Sequence, residues 1–500
     1  MKFSRFVIKT GLILSLLAAA AGWLFVEHLD PAAAIASIAK NPLIVNDVTG
    51  LNPVSVSLII KPKTELDITD AIMATSGPIS IGGARYSMGG QIAYPDSLHL
   101  DMREYDQIIK LDPDNKLITV QPGITWREVQ QAIDPHDLSV RIMQDFNNFT
   151  VGGSLSVNAH GRYANEGPII NSVRSLRIAL ADGKVYEASP NTNNALFYAA
   201  IGGYGGLGVI TSVTLELTDN IAMERFTESM SFVDFLDYFR QNIRDNDQLV
   251  MHNALLYPPS FENILNISWK KTDKPLTNPE RLQVFDPEDR IKPLLVEMLS
   301  RSDFLKRLRR SLYDRPMYNR PAVVTRNWES SADLRQYGFG PDKDSTMALR
   351  EYFVPLEQLE MFVLRMRDTF IRHDVNVLNI SIRYSPRDPG SLLAWAHDDM
   401  FSFVIVYRQD KDRESLDKVA AWSQELIRSA VDLGGSYYLP FQKQASSEQF
   451  FRVYQDAPLY FDIKKRADPD NRFNNLLLDQ HNPHRVKTDK IPTPGNNNPS

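Results

Sequence analysis

The sequence predicts an α+β chain of two folded domains behind an apolar N-terminal segment, and three observations carry that expectation. Residues 41–220 alternate short strand-like runs with turns and glycine loops. Residues 221–428 change to longer strands and amphipathic helices, and Lys2, Arg5 and Lys9 precede an apolar run from Gly11 to Val26 that ends at Glu27 and Asp30. At 500 residues the chain exceeds one simple core, and 43% apolar with 23% charged residues is ordinary globular composition. A net charge of −6 offers no basic excess to neutralise phosphates, which excludes nucleic acid as a partner. The chain has no cysteine, so disulfides, thiolate metal sites, cysteine nucleophiles and sulfur-linked cofactors are excluded.

Taken in order, residues 1–30 carry positive charge before the apolar run and negative charge after it. That polarity places the N-terminus inside the cytoplasm and the body on the extracytoplasmic, periplasmic-type side. The alanines at 18–21 offer cleavage sites for a signal peptide, whereas the continuation through GWLFV favours a retained transmembrane anchor of the ~20 residues a bilayer requires. The alanine-rich 31–40 reads as a short helix or a spacer.

Residues 80–91, SIGGARYSMGGQ, crowd four glycines around small side chains, which lets backbone N–H groups converge on an anion. DPDN at 112–115 reads as a hairpin loop between IIKL and KLITV, and TWREVQQAID as a helix. A second glycine loop falls in FTVGGSLSVNAHG, 149–161. Asp182 and Gly183 form the next hairpin turn, and the helix-like NNALFYAAIG leads to GGYGGLG and the strand VITSVTLEL. Gly203, Gly205 and Gly208 match G-x-G-x-x-G, but the order here is helix, glycines, strand. A dinucleotide fingerprint needs strand, glycines, helix, so a Rossmann site is rejected.

Beyond 221, the strands NALLYPP, ILNISWKK, REYFVP, VLNISIRYS and FSFVIVYRQ imply an antiparallel sheet with helices beside it. A basic helix near 290–313 reads either as a solvated amphipathic face or as one resting on anionic headgroups or a lipid-linked phosphate. Residues 485–500 are Pro/Asn-rich and read as a disordered tail.

GGARYSMGGQ, ITVQPGITWREVQQAI, FTVGGSLSVNAHG and GGYGGLGVITSVTLEL, in that order, resemble the FAD-binding domain of the vanillyl-alcohol-oxidase (PCMH-type) flavoprotein family. The resemblance covers about 40–220 and returns in 429–484, where ADPDNRFNN is similar to the family's closing motif. It implies two α+β subdomains that bind FAD, with 221–428 as an antiparallel substrate cap. Gly82, Gly83, Ala84, Arg85, Tyr86 and Ser87 would seat the pyrophosphate. The other cofactor residues it implies are Gln91, Pro122, Gly123, Thr150, Val151, Gly152, Gly153, Ser156, Asn158, His160, Gly161, Gly205, Gly208 and Ile210. Many members join the flavin to a histidine where this chain has Tyr86, and tyrosine lacks the imidazole nitrogen that makes the bond. With cysteine also absent, the resemblance implies non-covalent FAD.

In the cap, Glu351 of REYFVP and Arg383 of VLNISIRYSPRD match substrate-facing residues, with Ser381 standing where lactone and alditol oxidases carry glutamate. GGSYYLPFQK resembles a G-G-x-x-Y-x-x-K motif, with Tyr438 in place. Phe441 replaces the lysine, and Lys443 would share a strand face two residues on. The implied activity is oxidation of a CH–OH group of a sugar, aldonolactone or polyol, small or lipid-linked, by hydride transfer to the flavin. Tyr438, Lys443 and Glu351 are the candidate proton acceptors, Arg383 positions substrate, and oxygen, a quinone or a protein takes the electrons. The rival readings are a dehydrogenase or reductase acting on a polyprenyl, sterol or cytokinin-like substrate, and a non-catalytic flavin electron relay.

Overall fold

The computed structural model describes residues 43–286, 291–339 and 343–484. The predicted anchor at 1–30 and tail at 485–500 lie outside them, and no helix among the described residues is long and apolar enough to cross a membrane.

Three larger sheets and a two-stranded pair, Ile44–Val45 with Val54–Ser55, build the described residues. Leu58–Ile60 and Ile79–Gly82 flank Leu98–Asp101 in a parallel sheet of three, against which Glu65–Ala74 packs Ile68 and Ile72. Thr64 and Asp67 close a capping box at the start of that helix, as Thr125 and Glu128 do for Trp126–Ile133. A larger antiparallel sheet runs Val185–Ala188, Val173–Ala179, Val209–Asp219, Leu117–Val120, Ile108–Asp112, with Leu138–Val140 paired to the far end of Val209–Asp219. The DPDN hairpin forms between its last two strands, where Asp112 accepts from Asn115.

The chain crosses between Asp219 and Ala222 into an eight-stranded antiparallel sheet ordered Val323–Thr325, Ala222–Ser231, Asn263–Lys271, Leu249–Leu256, Val377–Ser385, Met400–Asp410, Ser345–Pro355, Ser436–Tyr437. Helices Leu359–Arg372 and Arg413–Asp432 bury Phe362, Met366, Trp422 and Leu426 against it. Ser436–Tyr437 still pairs with the cap strand at Phe353 and Tyr352, so the return to the first domain begins only after Tyr437. It ends with Phe473 bridged to Ile79, Asn474 donating to the Ile79 carbonyl at 2.9 Å, and Asn475 Nδ2 donating to the Tyr204 carbonyl at 2.8 Å.

Two local expectations change. The loop at 149–161 starts as a helix, Val151–Ser156, although paired glycines disfavour helix. Packing overrides propensity, because a Cβ at Gly152 would lie 2.7 Å from Pro122 Cβ. The single basic helix near 290–313 is instead a broken series, Ile291–Ser300 and Asp303–Arg309 followed by a π turn at Arg310–Asp314.

Burial also sets an acid limit on the fold. His99, His252 and His481 are buried, and burial lowers each from the usual 6.5 to about 4. The unfolded chain therefore binds more protons than the native one as pH falls from about 6.5 to 4, and stability declines across that window by about 3 kcal/mol per histidine at its acid end. The unfolding midpoint in urea at pH 4.5 should lie well below that at pH 7.5. Replacing His252 by Gln should flatten the slope.

Candidate active site

A cleft of about 780 Å³ runs between the two sheets of the first domain, walled by the three glycine-bearing segments. Its lining has no charged side chain. Gly83, Ser87, Thr150, Gly152, Ser156 and Gly205 to Gly208 present backbone groups and hydroxyls instead. The loops approach each other too closely for side chains: a Cβ at Gly83 would fall 2.2 Å from Thr150 Oγ1, and one at Gly208 would fall 2.2 Å from the Ala179 carbonyl. Gly205 also sits at φ 69, the left-handed region that glycine enters without strain. Arg85 adopts φ 65 without that licence. Its guanidinium pairs with buried Asp101 at 3.1 Å and its carbonyl accepts from the Val48 amide at 3.0 Å, so both ends of the residue are tied.

A second cavity of about 970 Å³ continues from the first, sharing Gly83, Ser87, Ile92, Thr150, Gly153 and Val157. One wall is aromatic. Tyr86 stacks on Phe149 with centroids 4.1 Å apart, Phe146 lies beside them, and the Tyr86 hydroxyl is bonded to Asn148. Burial raises Tyr86 to about 12, so it stays protonated.

The opposite wall is the cap sheet. Glu351 pairs with Val404, and Val404 with Ser381; the next row is Phe353, Ser402 and Arg383. Alternation along strands puts both rows on one face, which is how residues far apart in sequence come to line one cavity. Glu351 Oε1 lies 2.6 Å from His160 Nε2, both side chains almost fully buried. His160 is packed among Trp395, Phe353 and Tyr438, with its Nδ1 unpartnered. Arg383 is held by Asp145, whose other oxygen takes Arg162 Nε at 3.1 Å, and Arg162 reaches Glu329 at 2.7 Å. Burial works to raise Asp145, but Arg383 and Arg162 outweigh it and hold the carboxyl below its usual range. Arg383, paired with Asp145, therefore stands one row from the hydrogen-bonded Glu351 and His160 in the same largely apolar chamber.

Residues 56–189 match the family described as an FAD binding domain. The chain is 23% identical to the L-gulonolactone oxidase of Mus musculus over 394 residues, covering 78% of this chain and 86% of that one. It is 31% identical to the decaprenylphosphoryl-beta-D-ribose oxidase of Mycolicibacterium smegmatis over 144 residues, 28% of this chain and 31% of the other. With the mitochondrial L-galactono-1,4-lactone dehydrogenase 1 of Oryza sativa subsp. japonica it shares 27% over 208 residues, 40% and 34% of the two chains. The chain is an FAD-dependent oxidoreductase with a PCMH-type FAD-binding domain.

The cleft fits that cofactor. An uncharged, glycine-lined groove supplies N–H groups to a pyrophosphate, and the continuous second cavity receives a flat ring system. Most of the cofactor residues singled out in the flavoenzyme's sequence line one cavity or the other, but five do not. Val151 is core. Gly82, Gly123 and Gly161 give room to His99, the Met102 carbonyl and the Met143 carbonyl respectively. Asn158 is a brace between domains, bonded to Asp388 at 2.6 Å and Ser391 at 3.2 Å. All five shape the site from outside its lining.

Among the candidate proton acceptors, Lys443 is not brought to the cavity of the oxidoreductase. The strand ends at Tyr437, so two-residue alternation does not reach 443, and its ammonium bonds the Leu476 carbonyl at 3.2 Å. Burial lowers it to about 8. Tyr438 does line the cavity, but burial raises its phenol and the hydroxyl donates to the Val157 carbonyl at 2.8 Å, which fits a structural donor better than a base. Asp145, Phe146 and Phe149 were missed by sequence reasoning. Their one trace is an acid and two phenylalanines crowded into DFNNF, immediately before the second glycine segment.

Proposed function

We propose that this enzyme oxidises a CH–OH carbon of a sugar, aldonolactone or polyol derivative, with FAD held non-covalently across the two cavities. FAD, when bound, supplies the hydride acceptor. Glu351 takes the hydroxyl proton, and His160, hydrogen-bonded to it, fixes the carboxylate's orientation. Arg383, pinned by Asp145, hydrogen-bonds substrate oxygens, and the Tyr86–Phe149 stack excludes water from the chamber. The observation that carries this reading is the meeting of Glu351, His160 and Arg383 on one wall of a cavity continuous with the glycine cleft.

The carboxylate absent at 381 is replaced across the sheet: Glu351 occupies the same row two strands away, with Val404 between. Support for a sugar-like substrate comes from relatives named as lactone oxidases and dehydrogenases. The relative named as a decaprenylphosphoryl-ribose oxidase, together with Phe441 as an apolar wall residue, favours including lipid-linked sugars. We also place the body of the enzyme on the extracytoplasmic side of a membrane, anchored by its N-terminus, passing electrons to oxygen, a quinone or a protein.

Two measurements test the reading. Acid precipitation of the yellow protein should leave the flavin in the supernatant; flavin in the pellet would mean a covalent bond. Anaerobic titration with aldonolactones, alditols and lipid-linked sugars should bleach the flavin with at least one class. Failure with all of them, while the flavin still passes electrons to a quinone or protein, would overturn the oxidation in favour of an electron relay.

A further inference from the structure

The segment 291–320 carries eight lysines and arginines against three acidic residues, in a chain whose net charge is −6. Leu294, Val296, Leu299, Leu305 and Leu308 are half-buried along its inner side, and charge is turned inward beside them. The side turned to the protein holds charge: Lys306 is buried and bonds Asp303 at 2.9 Å and Asn376 at 2.8 Å, while Arg309 pairs with buried Asp314 at 2.9 Å and donates to the Leu378 carbonyl at 3.3 Å. These bonds fasten the segment to Val377–Ser385, the strand that bears Arg383. The side turned outward holds large apolar residues, with Phe304 65% and Leu312 71% exposed and Leu295, Met298 and Tyr313 also open.

Arg307, Arg315 and Arg320 are exposed beside them, and no carboxylate among the described residues pairs with these three. Phe304, Arg307, Ser311, Leu312, Tyr313 and Arg315 are all exposed along the series, so phenyl, isobutyl, phenol and guanidinium groups are presented outward together.

We propose that this face docks on an anionic lipid bilayer, with Phe304, Leu312 and Tyr313 entering the headgroup–acyl boundary and Arg307, Arg315 and Arg320 resting on lipid phosphates. Interleaved arginine and apolar side chains match that boundary, because one layer supplies both negative charge and hydrocarbon. The start of the segment adjoins the site. Gly338 abuts Pro293 at the start of the segment, and the neighbouring Tyr337 ring lies 5.9 Å from Phe146, which lines the larger cavity. The docking stands apart from the oxidation proposed above, since it requires no particular hydroxyl to be oxidised.

The absence of cysteine makes the test clean. In the full-length protein, F304C, L312C and, as a control on the FAD-binding half, N191C are each labelled with an environment-sensitive fluorophore. With vesicles of phosphatidylcholine and phosphatidylglycerol, the labels at 304 and 312 should brighten and shift to the blue while the label at 191 does not. With phosphatidylcholine alone, all three should stay unchanged, even where the N-terminal segment tethers the protein. Replacing Arg307, Arg315 and Arg320 by Gln should weaken the response about fivefold per residue. Silence at 304 and 312 while the protein co-sediments with anionic vesicles would overturn the docking. So would a concentration-dependent blue shift without lipid, which would instead assign the face to a second copy of the chain. Flavin bleaching by substrate in detergent is read separately and does not depend on either outcome.

Discussion

Glu351→Gln is expected to keep the fold and the flavin while slowing substrate-driven bleaching about a hundred- to ten-thousandfold, the usual worth of a positioned base. That corresponds to about 3–5 kcal/mol of barrier. The amide is nearly the same size and still hydrogen-bonds His160 across the 2.6 Å contact, so the chamber keeps its shape and loses only the capacity to hold a proton. The readout is the anaerobic rate of flavin bleaching in a single turnover, with flavin content and unfolding midpoint as controls. A variant that bleaches at the parental rate would remove Glu351 from proton transfer. His160→Gln separates the two partners: it should slow the same step less, because the carboxylate remains but loses its orientation. Neither Tyr438 nor Lys443 competes for the role, since one spends its proton on Val157 and the other lies outside the cavity.

What sequence reasoning reached and what it missed divide by range. The glycine segments and hairpin turns are local: each needs a few consecutive residues to turn or approach closely, and it was their resemblance, taken in order, to a flavoprotein family that pointed to the flavin cleft. The pairing of His160 with Glu351 joins residues 191 apart, and Arg383 meets Asp145 across 238. Such contacts depend on sheet register, which a single sequence does not display. The two-residue argument for Lys443 failed for a related reason. Periodicity holds only as long as the strand does, and Pro440 in YYLPFQK, which cannot donate to a ladder, is the one sign that the strand does not run on to Lys443. Val151–Ser156 shows packing overruling propensity, because the glycines that argue against a helix are what let it lie against Pro122. In the segment after 291 the excess of basic residues was plain, but which of them turn inward was not. Lys306 and Arg309 look no different in sequence from Arg307.

Lys464→Met is expected to destabilise the protein by about 3–5 kcal/mol, a large part of the 5–15 kcal/mol that a folded domain typically has. Lys464 is 2% exposed and its ammonium makes three bonds: to the Gly206 carbonyl at 2.8 Å, the Phe473 carbonyl at 2.7 Å and the Asp468 carboxylate at 2.9 Å. Burial lowers its pKa, opposed by Asp468, and the charge is tolerated because every contact is an acceptor. Methionine fills much of the space but leaves Asp468 as a buried carboxylate satisfied only by the Arg472 and Phe473 amides, and orphans two carbonyls. Adding Asp468→Asn should recover part of the loss, because the double variant no longer buries an unpaired charge. The lysine also joins the closing ADPDNRF stretch to the third glycine segment, and Gly206 lines the cofactor cleft. Flavin affinity should therefore fall together with stability, and excess FAD should raise the unfolding midpoint of Lys464→Met. A midpoint within the error of the parental protein would show that the ammonium is replaceable, and that Tyr460, Asn475 and the backbone bonds of Gly202 and Tyr204 suffice to hold the third glycine segment.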